Sequence, residues 1–407
     1  MFSRRLDWDR PENTLAVAEQ ARRAGGGAIV DLTVSNPTRV GLSAPPAALR
    51  DALGAAADDT AIHDPTPRGL PAARAAIAAD YRRRGIAADA SRLLLTASSS
   101  ESYALLFKLL CDPGDAVLVP EPSYPLFDYL ARLEGVFPAA YRLAYDGAWH
   151  VDFASVDDAL ADARRRGRRP RALVVVSPNN PTGSFLKRDE HRRLAALAAA
   201  ADLALIADEV FADYPSDERG AEPIVACAAA ADGGAPAALT FSLGGLSKSC
   251  GLPQMKLGWI LTGGPPAAVA AALARLELVA DTYLSVGAPV QAAAARLFAL
   301  GAGVRSAIAA RVAENRARLR ALVPAASPCT CLPAEGGWSA ILRVPAVFSD
   351  EEWAARLLRD DGILVQPGYF FDMPPGAFLV VSLLPEPAIF TAAMARVIAV
   401  GGAPGEG

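Results

Sequence analysis

Several short apolar runs in this chain end in polar residues that could do chemistry. Leu93-Leu94-Leu95 leads into Thr96-Ala97-Ser98-Ser99-Ser100-Glu101. Hydroxyls and free backbone N–H groups at a helix start suit an anion such as phosphate, although a serine-rich N-cap serves the helix equally well. Val174-Val175-Val176 leads into Ser177-Pro178-Asn179-Asn180-Pro181-Thr182-Gly183. Two successive asparagines there either present an amide to a ligand or close an Asx turn. Leu203 to Ala207 leads into Asp208-Glu209-Val210-Phe211. A carboxylate straight after a fully apolar strand is costly unless a cation meets it, and a protonated ring nitrogen is such a partner. The fourth run, Leu239 to Ser242, is followed by Leu243-Gly244-Gly245-Leu246-Ser247-Lys248 and then by Lys256-Leu257-Gly258-Trp259.

The lysines are informative because they are scarce. Of 40 basic residues only Lys108, Lys187, Lys248 and Lys256 are lysine. Where nearly every positive charge is written as arginine, a retained lysine suits an amine that must lose its proton and attack a carbonyl. Chance survival is the alternative for any one of the four.

The elements that must position these residues alternate in type. Helical spacing covers 71–84, 103–110, 125–134 and 188–201, and short apolar strands lie at 93–95, 116–119, 136–142, 172–176, 203–207, 239–242 and 257–261. This alternation predicts an α/β protein with a mostly parallel central sheet covered by helices. Ligands bind such sheets beyond the C-terminal strand ends, where the polar residues above fall. After residue 265 helices dominate to about 322, one of them a long Arg/Ala helix from Val304. Strand patterns at 338–344, 363–366 and 378–383 then alternate with helices near 350–360 and 386–399. The expected division is an N-terminal segment 1–45 joining a small domain, a large domain 46–300, and a small α+β domain 301–407 whose connecting helix is 301–322.

Composition excludes several classes. With 407 residues, 52% hydrophobic and 21% charged, the chain has ample material for a buried core. No apolar stretch reaches the ~18 residues of a membrane span, and the N-terminus lacks a secretory pattern. Five scattered cysteines fit a reducing compartment, so a cytoplasmic protein is expected. A net charge of −4 gives no general attraction to nucleic acid or membrane. The arginine-rich tract 164–171 reads as a solvated loop, and Cys329-Thr330-Cys331 has no partner at zinc-ligand spacing, so no metal is expected.

Taken together, Thr96 to Ser100, Pro122-Ser123-Tyr124-Pro125, Pro178 to Gly183, Asp208 to Phe211, Ser247-Lys248 and Lys256-Leu257-Gly258 resemble the class I/II aminotransferases, pyridoxal-phosphate enzymes of fold type I, over nearly the whole chain. The resemblance implies that Lys248 forms the Schiff base with pyridoxal 5'-phosphate and shuttles the substrate proton. It implies that Asp208 pairs with the ring nitrogen, Asn180 and the residue at Phe211 face the ring's 3'-oxygen, and Tyr124 stacks on the ring. Ser98, Ser99, Ser100 and Lys256 would hold the phosphate, Ser247 would touch it at most indirectly, and His63 stands where the family has a tyrosine reaching it across a homodimer interface. The implied reaction moves an amino group from a donor to a 2-oxo acid or other carbonyl acceptor. A lyase or decarboxylase of the same fold is the alternative.

The chain departs from the family pattern at four places. Phe211 stands where a tyrosine usually donates to the 3'-oxygen, which should raise the pKa of the cofactor–lysine linkage. Lys256 replaces an arginine, and His63 a tyrosine. Val380, in Phe378-Leu379-Val380-Val381-Ser382, falls where an arginine usually binds the substrate carboxylate, and no arginine lies between 360 and 395. Either Arg39, in Ser35-Asn36-Pro37-Thr38-Arg39 with Asn36 as a further substrate contact, or Arg68 replaces it, or the substrate lacks an ordinary α-carboxylate. Asp281 would favour a cationic or neutral substrate side chain, or is a solvated helix end.

Overall fold

The computed structural model describes residues 1–7, 13–57, 60–216, 224–229 and 238–402. Fourteen strands are numbered in chain order: β1 Val30–Asp31, β2 Leu93–Thr96, β3 Ala116–Glu121, β4 Phe137–Tyr145, β5 Trp149–Val151, β6 Pro170–Val176, β7 Ala204–Asp208, β8 Thr240–Gly245, β9 Gly258–Gly263, β10 Thr330–Cys331, β11 Ser339–Arg343, β12 Ile363–Leu364, β13 Gln366–Pro367 and β14 Phe378–Ser382. The apolar runs build one eight-stranded sheet in the order β2-β9-β8-β7-β6-β3-β4-β5. Its inner strands pair in parallel, while β9 is antiparallel to β2 and β8 and β5 is antiparallel to β4.

The inner strands are apolar at most positions because both faces are covered. Val117, Val174, Ile206 and Phe241 pack on one side, with Tyr103 and Phe107 of the helix Ser99–Leu110 and with Leu276 of the helix Pro266–Tyr283. Leu118, Leu173, Val175 and Leu205 face the other side, against Val156 and Leu160 of Phe153–Arg165 and Leu194 of Arg188–Ala200. The side-chain period of two sends neighbours in each run to opposite cores. The parallel chain order reverses between β3 and β6, which opens a crevice at their C-terminal ends.

A separate antiparallel sheet, β10-β11-β14-β13, carries the C-terminal strands. The N-terminal segment joins this part of the molecule: β1 pairs in parallel with β12, and the Ser382 N–H donates to the Leu32 carbonyl at 2.7 Å. The connecting helix runs from Ala294 to Leu322, earlier than the expected starts at 301 and at Val304. Gly301 and Gly303 weaken the helical pattern in sequence. Packing overrides them, because a Cβ on Gly301 would stand 2.3 Å from the Cβ of Cys250, so a glycine is needed where the helix crosses that residue. Among the described residues no helix is long and apolar enough to cross a membrane, and no His/Cys/Asp/Glu group could hold a metal ion.

Candidate active site

The C-terminal ends of β2, β3, β6, β7 and β8 lie on one edge of the large sheet, and each delivers a residue singled out in the sequence. Asp208 is the last residue of β7 and is only 9% exposed. Its Oδ1 accepts the Val210 N–H at 3.2 Å and its Oδ2 accepts the Tyr103 hydroxyl at 3.1 Å. Burial nevertheless raises its carboxyl pKa to about 6, against the lowering effect of those two donors and of Lys248. A buried acid so placed asks for a cationic partner.

Lys248 lies in the single helical turn Leu246–Ser249 that follows β8. Its Nζ sits 4.8 Å from the Trp338 ring centroid and 5.3 Å from that of Phe211, and reaches the Ser35 carbonyl at 3.5 Å. Burial lowers its pKa to about 8, while the Asp208 charge pulls the other way. An amine in that range is partly unprotonated near neutrality, as a nucleophile must be. The turn is fixed from behind. Tyr214 donates its hydroxyl to the Lys248 carbonyl at 2.6 Å, and Arg305 Nη1 donates to the Ser249 carbonyl at 3.0 Å.

Ser98 caps the helix Ser99–Leu110, its Oγ accepting the Glu101 N–H at 3.2 Å, so the capping reading holds for that hydroxyl. Glu101 in turn accepts the Ala97 N–H at 2.5 Å. The Ser99 and Ser100 N–H groups have no partner among the described residues and remain open for an anion. Gly258 lets β9 approach this cradle, since a Cβ there would meet Thr96 Oγ1 at 3.0 Å and the Ser98 carbonyl carbon at 3.2 Å. Ser247 is half-buried nearby in chain, and Lys256 is exposed in a left-handed conformation with φ 51°.

The two asparagines divide the alternatives between them. Asn179 closes the turn: its Nδ2 donates to the Pro122 carbonyl and to Thr182 Oγ1, both at 2.9 Å, and its Oδ1 accepts from Ser123 at 2.8 Å. Asn180 makes one side-chain bond, accepting from Ser339 at 3.1 Å, which leaves its amide nitrogen available. Tyr124, beyond β3, is 47% exposed. Phe211 packs edge-on against Trp338, with ring centroids 4.9 Å apart.

Other expected residues lie elsewhere or serve the backbone. His63 is exposed and lines a separate cavity of about 80 Å³ with Gly69, Tyr283 and Gln291. Asp281 is exposed near the end of the helix Pro266–Tyr283. Asn36 caps the turn Pro37–Val40, its Oδ1 accepting from the Thr38 N–H at 3.0 Å and hydroxyl at 2.8 Å. Arg39 is exposed in the same turn. Arg68 is turned away from the site edge, donating to the Ser91 carbonyl before β2. Val380 is 1% exposed, in an apolar cluster with Trp149, Ile341 and Phe371.

The sequence reading missed Tyr103, Tyr214, Trp338 and Ser339. Tyr103 carried a signal, because it follows Ser99 by four residues and so shares its helix face. The other three come close only through the fold.

A phosphorylated pyridine aldehyde fits these groups. The open N–H pair suits its phosphate, the buried Asp208 its ring nitrogen, and the Lys248 amine its carbonyl. Residues 28–386 match the family model described as aminotransferase class I and II. The glutamate-pyruvate aminotransferase AlaA of Haemophilus influenzae is 27% identical over 88% of this chain and 87% of its own. An alanine aminotransferase of Mycobacterium tuberculosis is 27% identical over 92% of this chain and 85% of its own. In fold, an alanine aminotransferase from Pyrococcus furiosus superposes with a TM-score of 0.83 at 22% identity, covering 98% and 99% of the two chains. A Thermus thermophilus aspartate aminotransferase mutant gives 0.79 at 22% identity, over 98% and 99%. The architecture is that of the aspartate-aminotransferase-like, fold type I proteins. The chain belongs to the class I and II aminotransferases, pyridoxal-phosphate-dependent enzymes that transfer an amino group. The comparisons favour that transfer over the lyase or decarboxylase alternative.

Proposed function

We propose that this enzyme is a cytoplasmic homodimer exchanging an amino group between an amino-acid donor and a 2-oxo acid, with glutamate and pyruvate the pair to test first. The observation that carries the site assignment is the Lys248 amine, with its pKa near 8, on the same sheet edge as the buried Asp208. Glutamate and pyruvate are chosen because the curated relatives are named for those substrates or for alanine.

Pyridoxal phosphate, when bound, supplies a carbonyl carbon for an amine and an electron-withdrawing ring. Lys248 provides the amine and then carries the substrate proton. Asp208 holds a negative charge against the ring nitrogen, and the Tyr103 hydroxyl and Val210 N–H orient it. Asn180 donates its amide to the ring oxygen, where Phe211 has no hydroxyl to offer. Tyr124 covers the ring face. The Ser99 and Ser100 N–H groups would hold the phosphate, with Ser98 and Lys256 supporting them and Ser247 nearby. In the dimer His63 serves the neighbouring site, and the exposed Tyr283 and Leu284 beside it are covered.

The substrate carboxylate falls to Arg39. Val380 is enclosed by apolar side chains and Arg68 is tied to Ser91, whereas Arg39 is exposed four residues beyond Ser35, whose carbonyl meets Lys248. The experiment is a visible spectrum of the cofactor-loaded enzyme with glutamate alone, followed by pyruvate. The expected result is bleaching by glutamate and formation of alanine on adding pyruvate. A band that no amino acid alters, or release of ammonia or carbon dioxide, overturns the reading.

A further inference from the structure

Ser339 belongs to the small antiparallel sheet, where it opens β11 opposite Ser382. Its hydroxyl donates across to Asn180 in the turn that follows β6 of the large sheet, with Oγ and Oδ1 3.1 Å apart. That bond joins residues 159 positions apart in the chain. A primary amide has one accepting end and one donating end, so binding its oxygen decides where its N–H₂ points.

The neighbours leave this amide with an unusual burden. Asn179 has both ends of its amide engaged by Pro122, Thr182 and Ser123 and has no amide hydrogen left to offer. Phe211, which lines the same small hollow as Asn180 and Ser339, presents a hydrocarbon ring. Asn180 Nδ2 is thus the remaining side-chain amide donor in that turn, and it has no partner among the described residues. If the amide turned over, its oxygen would face the ring oxygen of the cofactor, and two acceptors would repel.

We propose that Ser339 is a positioning residue that fixes the Asn180 amide with its nitrogen toward the ring oxygen of pyridoxal phosphate. This rests on the cofactor site described above. The donor at Nδ2 stabilises negative charge on the ring oxygen and so lowers the pKa at which the lysine-bound cofactor titrates. Loss of orientation weakens that donor, and the titration moves up.

The test is a pH titration of the visible absorption of the pyridoxal-phosphate-loaded protein, with thermal melting as a folding control. Ser339→Ala should raise the midpoint by about half to one pH unit. Ser339→Thr, which keeps the hydroxyl, should restore the wild-type midpoint. On an Asn180→Ala background the Ser339→Ala change should add no further shift, because the two residues act as one unit. An unchanged midpoint in Ser339→Ala, or full additivity with Asn180→Ala, overturns the proposal while the wild-type band leaves the cofactor site intact. Absence of any visible band in wild type on adding pyridoxal phosphate overturns both.

Discussion

The Tyr103 hydroxyl donates to Asp208 across the top of the large sheet, 3.1 Å from Oδ2. The donor comes from the helix after β2 and the acceptor from the end of β7, so two separate crossover units fix the ionisation of one carboxyl. Removing the hydroxyl takes away a bond that favours the carboxylate, and the Asp208 pKa rises above its present value of about 6. Tyr103→Phe should therefore move the acid limb of the pH–activity profile upward by up to about one unit, with kcat at alkaline pH less affected. A profile unchanged from wild type would show that Asp208 does not limit the acid side.

Lys248 gives a second pH dependence, shifted by the same burial but in the opposite direction. Its pKa of about 8 is set by burial, while Asp208 holds it up. Modification of the cofactor-free protein by an amine-selective acylating reagent should accelerate as pH rises through about 8. Asp208→Asn removes the charge that favours the ammonium, so the midpoint should fall. Lys248→Ala should remove the fast-reacting amine and reduce turnover by at least about a thousandfold. Retained turnover would remove Lys248 from the mechanism.

Arg39 is testable by separating binding from chemistry. If its guanidinium holds the substrate carboxylate, Arg39→Ala should raise KM for the amino donor by about ten- to a hundredfold. Lys at this position should recover only part of the loss, because it lacks the planar fork. Arg68→Ala should leave KM near wild type. An Arg39 variant with normal KM would move carboxylate binding to other groups.

Two glycines in the helix Ala294–Leu322 should respond with opposite signs. A methyl on Gly301 collides with the Cβ and Sγ of Cys250, at 2.3 and 2.6 Å. Gly301→Ala should destabilise by about 1 to 3 kcal/mol. Gly303 is exposed and its Cβ would meet nothing within 4 Å. Gly303→Ala should stabilise by about 0.5 to 1 kcal/mol through reduced freedom of the unfolded chain. Urea denaturation measures both, and equal signs would contradict the packing argument.

Much of this protein was legible in order and spacing. Apolar runs such as Leu203–Ala207 announce strands buried on both faces, and a charged residue directly after one, as at Asp208, marks the ligand edge of a parallel sheet. Sequence also supplies the scarce lysine, and the absence of any arginine between 360 and 395. What it could not decide is which residue of a plausible pair serves the ligand. Asn179 and Asn180 are chemically identical, and only the surroundings assign the first to the turn and leave the second with a free donor. Tyr214, Trp338 and Arg305 reach Lys248 or the turn that carries it from 34, 90 and 56 residues away, through packing no local pattern encodes. Local residue type fixes what a group can donate, accept or ionise; burial and long-range contact, set by the closed fold, decide at what pKa and toward which partner.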